Sequence, residues 1–134
     1  MMNHIQMNFN DLNINIKLNK NITILKDYSG TGKTFLFKIL MSYFQENNIS
    51  FVKFDYTSLN LTVDDIKQQI MNKDFILMDC ADLYMTRELW GIIKSSESYF
   101  IISLKGLDNI IIDNNLDICI VNYFEDSLNL ETLL

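Results

Sequence analysis

The stretch ITILKDYSGTGKTFLFKIL, residues 22–40, decides the fold of this chain. Apolar residues alternate in its first part, residues 22–26, which predicts a β-strand. A glycine-rich segment, DYSGTGKT (27–34), follows, and the residues after it are apolar on almost every side. Such an apolar segment is typical of a helix buried against a sheet. The sequence therefore predicts a strand, a glycine loop and a buried helix in direct succession.

The glycine loop has the chemistry of a phosphate-binding site. Where a loop enters a helix, backbone N–H groups and the positive end of the helix dipole converge on an anion. Gly30 and Gly32 can adopt φ values that other residues resist, so the backbone can approach phosphates closely. Lys33 can reach the β and γ phosphates, and Thr34 can place its hydroxyl on Mg²⁺. The structural alternative is a glycine turn that caps a helix, with Lys33 in solvent.

Length and charge narrow the class of protein. The 134 residues suit one domain, 1–134, with a single core, and no linker or repeat divides them. The net charge of -6 would repel a phosphate backbone, and the scattered lysines form no basic face, so we expect no direct nucleic-acid binding. No apolar run is long enough to cross a bilayer, and the N-terminus lacks the pattern of a secretory signal. We therefore expect a cytoplasmic protein without membrane contact.

The cysteines and the histidine predict no site of their own. Cys80 and Cys119 lie far apart within apolar runs, which is typical of small buried hydrophobes rather than of a disulfide or a metal site. This placement fits a reducing compartment. His4 stands alone near the terminus, and we assign it no catalytic or metal-binding role.

The rest of the chain alternates between predicted strands and helices. Residues 5–26 alternate with a period of two, and the dipeptide Asn10–Asp11 offers a turn between antiparallel strands. Thr62 and Thr86 are expected to open helices. Four further strands are predicted at FVKFDY (51–56), DFILMD (74–79), YFIISL (99–104) and DICIVNYF (117–124). The segment LDNIIIDN (107–114) fits either a short helix or a strand.

Together with residues 22–26, these segments make five core strands. Helical segments between successive strands require right-handed crossovers and a mainly parallel sheet. The expected fold class is therefore α/β, a three-layer sandwich with a mainly parallel sheet and an antiparallel addition at the N-terminus.

The chain resembles P-loop NTPases, with a Walker A motif in DYSGTGKT (27–34) and a Walker B motif in FILMD (75–79). The strand order is similar to that of the additional-strand class, which includes AAA and ABC-type ATPases. The resemblance implies ATP and Mg²⁺ as ligands, with Thr34 and Asp79 holding the metal and Ser103 as a polar sensor of the γ-phosphate. The nucleotide-binding residues it implies are Ser29, Gly30, Thr31, Gly32, Lys33, Thr34 and Phe35.

Two features concern the subfamily of ATPase and the base of the bound nucleotide. The antiparallel lead-in LNINIKLNKNITILKDYSGTGKTFLFKIL (12–40) looks like the start of an ABC-type or related AAA domain, although no L-S-G-G signature occurs downstream. The N-K-x-D pattern of guanine-binding P-loop proteins is absent, which favours ATP.

One departure from the family pattern lies in the loop itself. Asp27 stands where such loops carry their first glycine. Its carboxylate would repel phosphates and weaken binding unless Mg²⁺ or Lys33 offsets it. Aspartate also tolerates unusual backbone angles, so Asp27 equally fits a turn residue whose side chain points away.

A second departure concerns hydrolysis. In DCAD (79–82), Cys80 replaces the glutamate that usually follows the Walker B acid and activates water. Asp82 is a candidate for that role, but it also fits a helix cap or a surface carboxylate. Arg87, the only arginine, could neutralise the γ-phosphoryl group or pair with Glu88 at the surface. A small-molecule kinase, which uses several arginines, is disfavoured, and hydrolysis of ATP is left open.

Three functions are compatible with these residues. The first is a nucleotide-binding P-loop protein, weak or inactive as an ATPase alone, that acts through nucleotide-dependent contacts with another protein or a second copy of itself. The second is an acidic module that no longer binds nucleotide and inhibits or assists a nucleic-acid-processing machine. The third is an ATPase completed in trans by a partner's arginine or glutamate. We expect the first, with a protein partner or a homo-oligomer.

Overall fold

A computed structural model describes residues 4–26 and 33–133, and for Lys33 and Thr34 it describes the backbone only. The strands are β1 (His4–Phe9), β2 (Leu12–Lys17), β3 (Ile22–Lys26), β4 (Phe51–Phe54), β5 (Phe75–Met78), β6 (Tyr99–Leu104), β7 (Leu116–Phe124) and β8 (Ser127–Thr132). The helices are α1 (Lys33–Glu46), α2 (Val63–Ile70) and α3 (Arg87–Ser95). Two short 3-10 turns, Tyr56–Asn60 and Ala81–Leu83, follow β4 and β5.

The eight strands form one mixed sheet in the order β1-β2-β8-β7-β3-β6-β5-β4. The five strands from β7 to β4 run parallel to one another. β8 is antiparallel to β7 and parallel to β2, and β1 is antiparallel to β2. We call β7, β3, β6, β5 and β4 the parallel block, and β1, β2 and β8 the terminal block.

The predicted fold is found in part. The chain is α/β, and the five predicted core strands are present as β3 to β7. The sheet as a whole is mixed because β8, which the sequence did not predict, lies between β2 and β7 and runs antiparallel to β7. The interpretation of residues 22–26 as part of an antiparallel segment is wrong, since β3 is parallel to both of its neighbours. The segment 107–114 forms neither a helix nor a strand.

Local polar contacts explain where the hairpin turns and where two helices begin. Asn10 and Asp11 have φ values of 48° and 67°, the left-handed region that a two-residue turn between antiparallel strands requires. Thr62 and Asp65 form a reciprocal capping box at the start of α2. The Thr86 hydroxyl accepts the N–H of Leu89 at the start of α3. The predicted turn and both predicted helix starts are confirmed.

Helices pack against both faces of the parallel block. Successive residues of a strand point to opposite faces. Leu77 and Ile101 pack in the core cluster that contains α1, whereas Met78 and Ile102 pack in the cluster that contains α2 and α3. The terminal block adds buried side chains only to the α1 cluster, among them Ile14. No helix in the described ranges is long and apolar enough to cross a membrane.

Candidate nucleotide site

The glycine loop connects the centre of the parallel block to α1. β3 ends at Lys26, and α1 begins at Lys33. Most of the predicted phosphate-binding residues fall between these points or have undescribed side chains. Outside the described residues lie Asp27, Ser29, Gly30, Thr31 and Gly32, together with the side chains of Lys33 and Thr34. Their role in binding phosphate and Mg²⁺ stays a prediction.

Phe35 is the one residue of the predicted nucleotide-binding set whose side chain is described. Its ring is exposed and meets the ring of Phe9 edge to face, with 6.0 Å between the ring centroids. Phe9 ends β1, so the tip of the N-terminal hairpin contacts the first turn of α1. This contact ties the terminal block to the helix that follows the loop.

Asp79, which directly follows β5, and Ser103 of β6 lie at the carboxyl ends of neighbouring strands in the parallel block. Met78 pairs with Ile102, and the two polar residues are the next ones along β5 and β6. Ser103 also pairs with Leu25 of β3, close to the start of the loop. Both side chains are buried, with 7% of Asp79 and 2% of Ser103 exposed. Three adjacent strand ends therefore bring Lys26, Asp79 and Ser103 to one edge of the sheet.

The backbone around Asp79 is fixed by hydrogen bonds on both sides. Its N–H donates to the carbonyl of Phe54 at 2.8 Å, and its carbonyl accepts the Tyr84 hydroxyl at 2.7 Å. The carboxylate accepts the N–H of Cys80 at 3.0 Å. Burial, and secondarily the nearby Asp79 charge, raises the pKa of Tyr84 far above its ordinary value, so this hydroxyl stays a donor.

Cys80 directs the chain away from β5. Its φ of 52° and ψ of 42° are left-handed, an unusual conformation for a residue with a side chain. The side chain is exposed, so the interpretation of Cys80 as a small buried hydrophobe is wrong. Cys119 is buried as predicted, and burial raises the pKa of its thiol. A residue that must leave the strand in a left-handed turn cannot continue into the core, which explains the difference.

Asp82 joins the ends of β5 and β6. Its carboxylate accepts the backbone N–H of Lys105 at 2.7 Å and that of Gly106 at 3.0 Å. It lies within a 3-10 turn and does not cap a helix, so of the two structural interpretations the surface carboxylate is the correct one. A catalytic role for Asp82 stays a prediction, but both carboxylate oxygens already accept backbone donors.

Lys26 completes this connection from the other side. Its ammonium group donates to the carbonyl of Lys105 at 2.5 Å. Lys26, which precedes the loop, and Asp82 are therefore joined through the backbone of Lys105, the residue that directly follows β6. Sequence reasoning missed this contact because the partners of both charges are backbone groups, which no side-chain pattern reveals.

The remaining candidates lie apart from this edge. Arg87 is exposed at the first residue of α3. His4 shares a hydrogen bond of 2.6 Å with Asn15 in the hairpin. Among the residues that the structure describes, no three His, Cys, Asp or Glu side chains form a group that could hold a metal ion. A cavity of about 750 Å³ lies at the amino ends of the parallel strands, where Lys73, Asp74 and Ser96 line it.

Comparisons of the chain with protein-family models, with curated proteins and with solved structures found no match. The resemblance to P-loop NTPases therefore rests on the residues of the loop and on the two polar strand ends beside it.

Proposed function

We propose that this protein binds a nucleoside triphosphate, by preference ATP with Mg²⁺, at the carboxyl edge of the parallel block. In this proposal the block and its helices are a three-layer sandwich of the P-loop NTPase type. The protein is weak or inactive as an ATPase alone. Its bound state controls contact with another protein.

The observation that carries the proposal is the position of the loop in the strand order. In open α/β sheets, ligands bind beyond the carboxyl ends of strands at the point where the chain changes from one face to the other. α1, which follows β3, packs on one face, whereas α2 and α3 pack on the other. β3 and β6 are neighbours at this change of face. The glycine loop leaves β3 here, and Ser103 and Asp79 lie on the next two strands.

The contacts of Asp82 and Cys80 favour binding over hydrolysis. Cys80 occupies the position of the usual catalytic glutamate, and a thiol is a poor substitute for a carboxylate as a base toward water. Asp82 uses its carboxylate to accept two backbone N–H groups. Neither residue supplies a carboxylate without backbone partners to orient the attacking water, which is why we propose a slow or absent reaction.

Exposed apolar side chains at the same edge support a protein contact. Tyr56 and Leu59 follow β4 and are 65% and 54% exposed, and Leu83 follows β5 and is 52% exposed. Large apolar side chains grouped on a surface mark interaction sites. Because Leu83 lies four residues after Asp79, a ligand held by Asp79 could shift this surface directly.

Thermal unfolding of the wild type and of Lys33→Ala, with Mg-ATP, with Mg-ADP and without nucleotide, tests the proposal. A ligand at a hundred times its dissociation constant stabilises the folded state by about 2.7 kcal/mol, on the order of 10 °C in Tm for a domain of this size. We expect that rise in the wild type and its loss in Lys33→Ala. Lys38→Ala, an exposed lysine on the same helix, is the matched control and should keep the rise.

Two results would contradict the proposal. A rise that Lys33→Ala retains would mean that nucleotide binds elsewhere. An unchanged wild type at saturating nucleotide would favour the acidic interaction module that does not depend on nucleotide.

A further inference from the structure

The outer strand of the terminal block has an open edge. Within the described ranges, β1 pairs with β2 on one side and with no strand on the other. The side chains of Gln6 and Asn8 are exposed along it. An inference about the open side of this strand does not rest on the proposed function.

The hydrogen-bond pattern shows which backbone groups face outward. Opposite residues of an antiparallel pair alternate between bonding each other and pointing away from each other. Asn13 lies opposite Asn8, and its N–H donates to Asp126, away from β1. The backbone N–H and C=O groups of Asn8 therefore also point away from β2. By the same alternation, the N–H and C=O groups of His4, Gln6 and Asn8 face the open edge.

This edge lacks the features that keep sheet edges from pairing. Soluble proteins protect edge strands with charged side chains, prolines or short length. β4, the opposite edge of the sheet, has only four residues, and Lys53 lies 3.8 Å from Asp55 in an ion pair. β1 has six residues, HIQMNF, with no proline, lysine, arginine, aspartate or glutamate. One edge is protected, and the other is suited to pairing.

We propose that β1 pairs antiparallel with β1 of a second copy of this chain. A two-fold axis through Gln6 sets Gln6 against its own copy and His4 against Asn8 of the second molecule. All six outward backbone groups then find partners. Opposite residues of an antiparallel pair share a face of the sheet. The register therefore also sets Ile5 against Met7 on the face that packs in the α1 cluster.

Charge favours a second copy at this place over the rest of the surface. The protein carries a net charge of -6, so two copies repel each other over most of their surfaces. Residues 4–20, which contain the hairpin, hold one aspartate and two lysines. The hairpin is therefore a segment at which two acidic molecules can meet without that repulsion, and its exposed side chains Gln6 and Asn8 are neutral.

Sedimentation equilibrium of the full chain tests the dimer, with Gln6→Lys beside the wild type. The substitution sets two lysines opposite each other across the axis, where like charges destabilise strand pairing. We expect a dimer for the wild type and a dissociation constant raised about tenfold or more in Gln6→Lys. The matched control is Gln68→Lys, the same change on the exposed face of α2, which should dimerise like the wild type.

Hydrogen exchange in the wild type gives a second test that needs no variant. In the dimer the Gln6 and Asn8 amides are bonded, so their exchange should slow as the protein concentration rises. The amides of Met7 and Phe9, which face β2, should not respond. A wild type that stays monomeric overturns the proposal and leaves the edge to a strand of another protein. Equal dimerisation of Gln6→Lys and Gln68→Lys, or exchange that ignores concentration, also overturns it.

Discussion

The parallel block and the terminal block belong to one sheet but bury their strands differently. In the three central strands of the parallel block, burial is continuous from Ile22 to Leu25, from Phe75 to Met78 and from Phe100 to Leu104. In the terminal block it alternates or is sparse. β2 buries Ile14 and Ile16 between more exposed neighbours, and β8 buries Leu128 alone.

The difference follows from how many faces are covered. Strands with helices on both sides of the sheet have no solvent-facing position, whereas strands covered on one side expose every second residue. A buried polar residue is therefore unexpected in the parallel block. Asp79 and Ser103 are two of the four buried polar residues in the described part of the chain, and both lie at the carboxyl edge. Thr23, in the first half of β3, is buried as well, so polar burial alone does not distinguish the candidate site; Asp79 and Ser103 differ from Thr23 in lying at the carboxyl ends of their strands.

The largest effect should come from the aromatic cluster at the start of β5. Phe75 is 1% exposed, and its ring stacks on Phe44 and on Tyr99, with centroids 4.5 Å and 5.3 Å apart. Phe75→Ala removes this packing and leaves a cavity, so we expect the free energy of unfolding to fall by about 3–5 kcal/mol. Urea denaturation measures the loss. Phe124→Ala, at a ring that is 68% exposed, is the control and should change it by less than about 1 kcal/mol.

A small loss in Phe75→Ala would contradict the comparison, because the parallel block would then not depend on this aromatic packing. A loss of similar size in Phe124→Ala would show instead that the end of β7 is covered, for example by another molecule.

The parallel block was predictable from sequence because its signals are local. DFILMD (74–79) is an uninterrupted apolar run that ends in an acid, and β5 forms within it. The spacing of Thr62 and Asp65 alone predicts the start of α2. Adjacent parallel strands then bring Asp79 and Ser103 together without any further signal.

The terminal block was only half predictable because its order depends on long-range pairing. The hairpin turn at Asn10–Asp11 is a local signal, but β8 is half-buried, and Leu128 is its only buried residue. Its position between β2 and β7 depends on pairing with β2, whose residues lie more than a hundred positions earlier in the chain. The contacts of Asp82 were equally hidden, since backbone N–H groups leave no trace in a residue pattern.

Alanine substitutions at adjacent positions in β6 and in β2 test the difference between the two blocks, with a smaller expected loss of stability. Ile101 and Ile102 of β6 are both fully buried, on opposite faces, so each change to alanine should cost about 2–5 kcal/mol. In β2 only one of two neighbours should matter. Ile14→Ala should cost a similar amount, and Asn13→Ala, at an exposed side chain, within about 0.5 kcal/mol. Urea denaturation of the four variants measures this pattern, and equal losses at Ile14 and Asn13 would mean that both faces of β2 are covered.

The smallest effect concerns pH at the protected edge of the parallel block. The Asp55 carboxylate accepts the hydroxyl and the N–H of Thr57 at 2.6 Å and 2.9 Å. These bonds, the hydroxyl first, and the Lys53 charge hold the pKa of Asp55 below its ordinary value of 3.8, against the opposing effect of burial. A carboxyl whose pKa is lower in the folded state stabilises it above the unfolded pKa, and this contribution is lost as pH falls through the folded pKa.

Asp55 also caps the 3-10 turn Tyr56–Asn60. Asp55→Asn removes the charge and weakens this cap, so at neutral pH it should lower the free energy of unfolding by less than about 1 kcal/mol, since the side chain is partly in solvent. The difference between the variant and the wild type should shrink as the pH is lowered through 4 toward the folded pKa of Asp55, which lies below 3.8. Urea denaturation over a pH series measures the difference. A difference in the free energy of unfolding that stays constant across the pH series would mean that Asp55 acts through its shape and not its charge. The protection of β4 would then come from its short length, and the contrast with the uncharged β1 would have to rest on length alone.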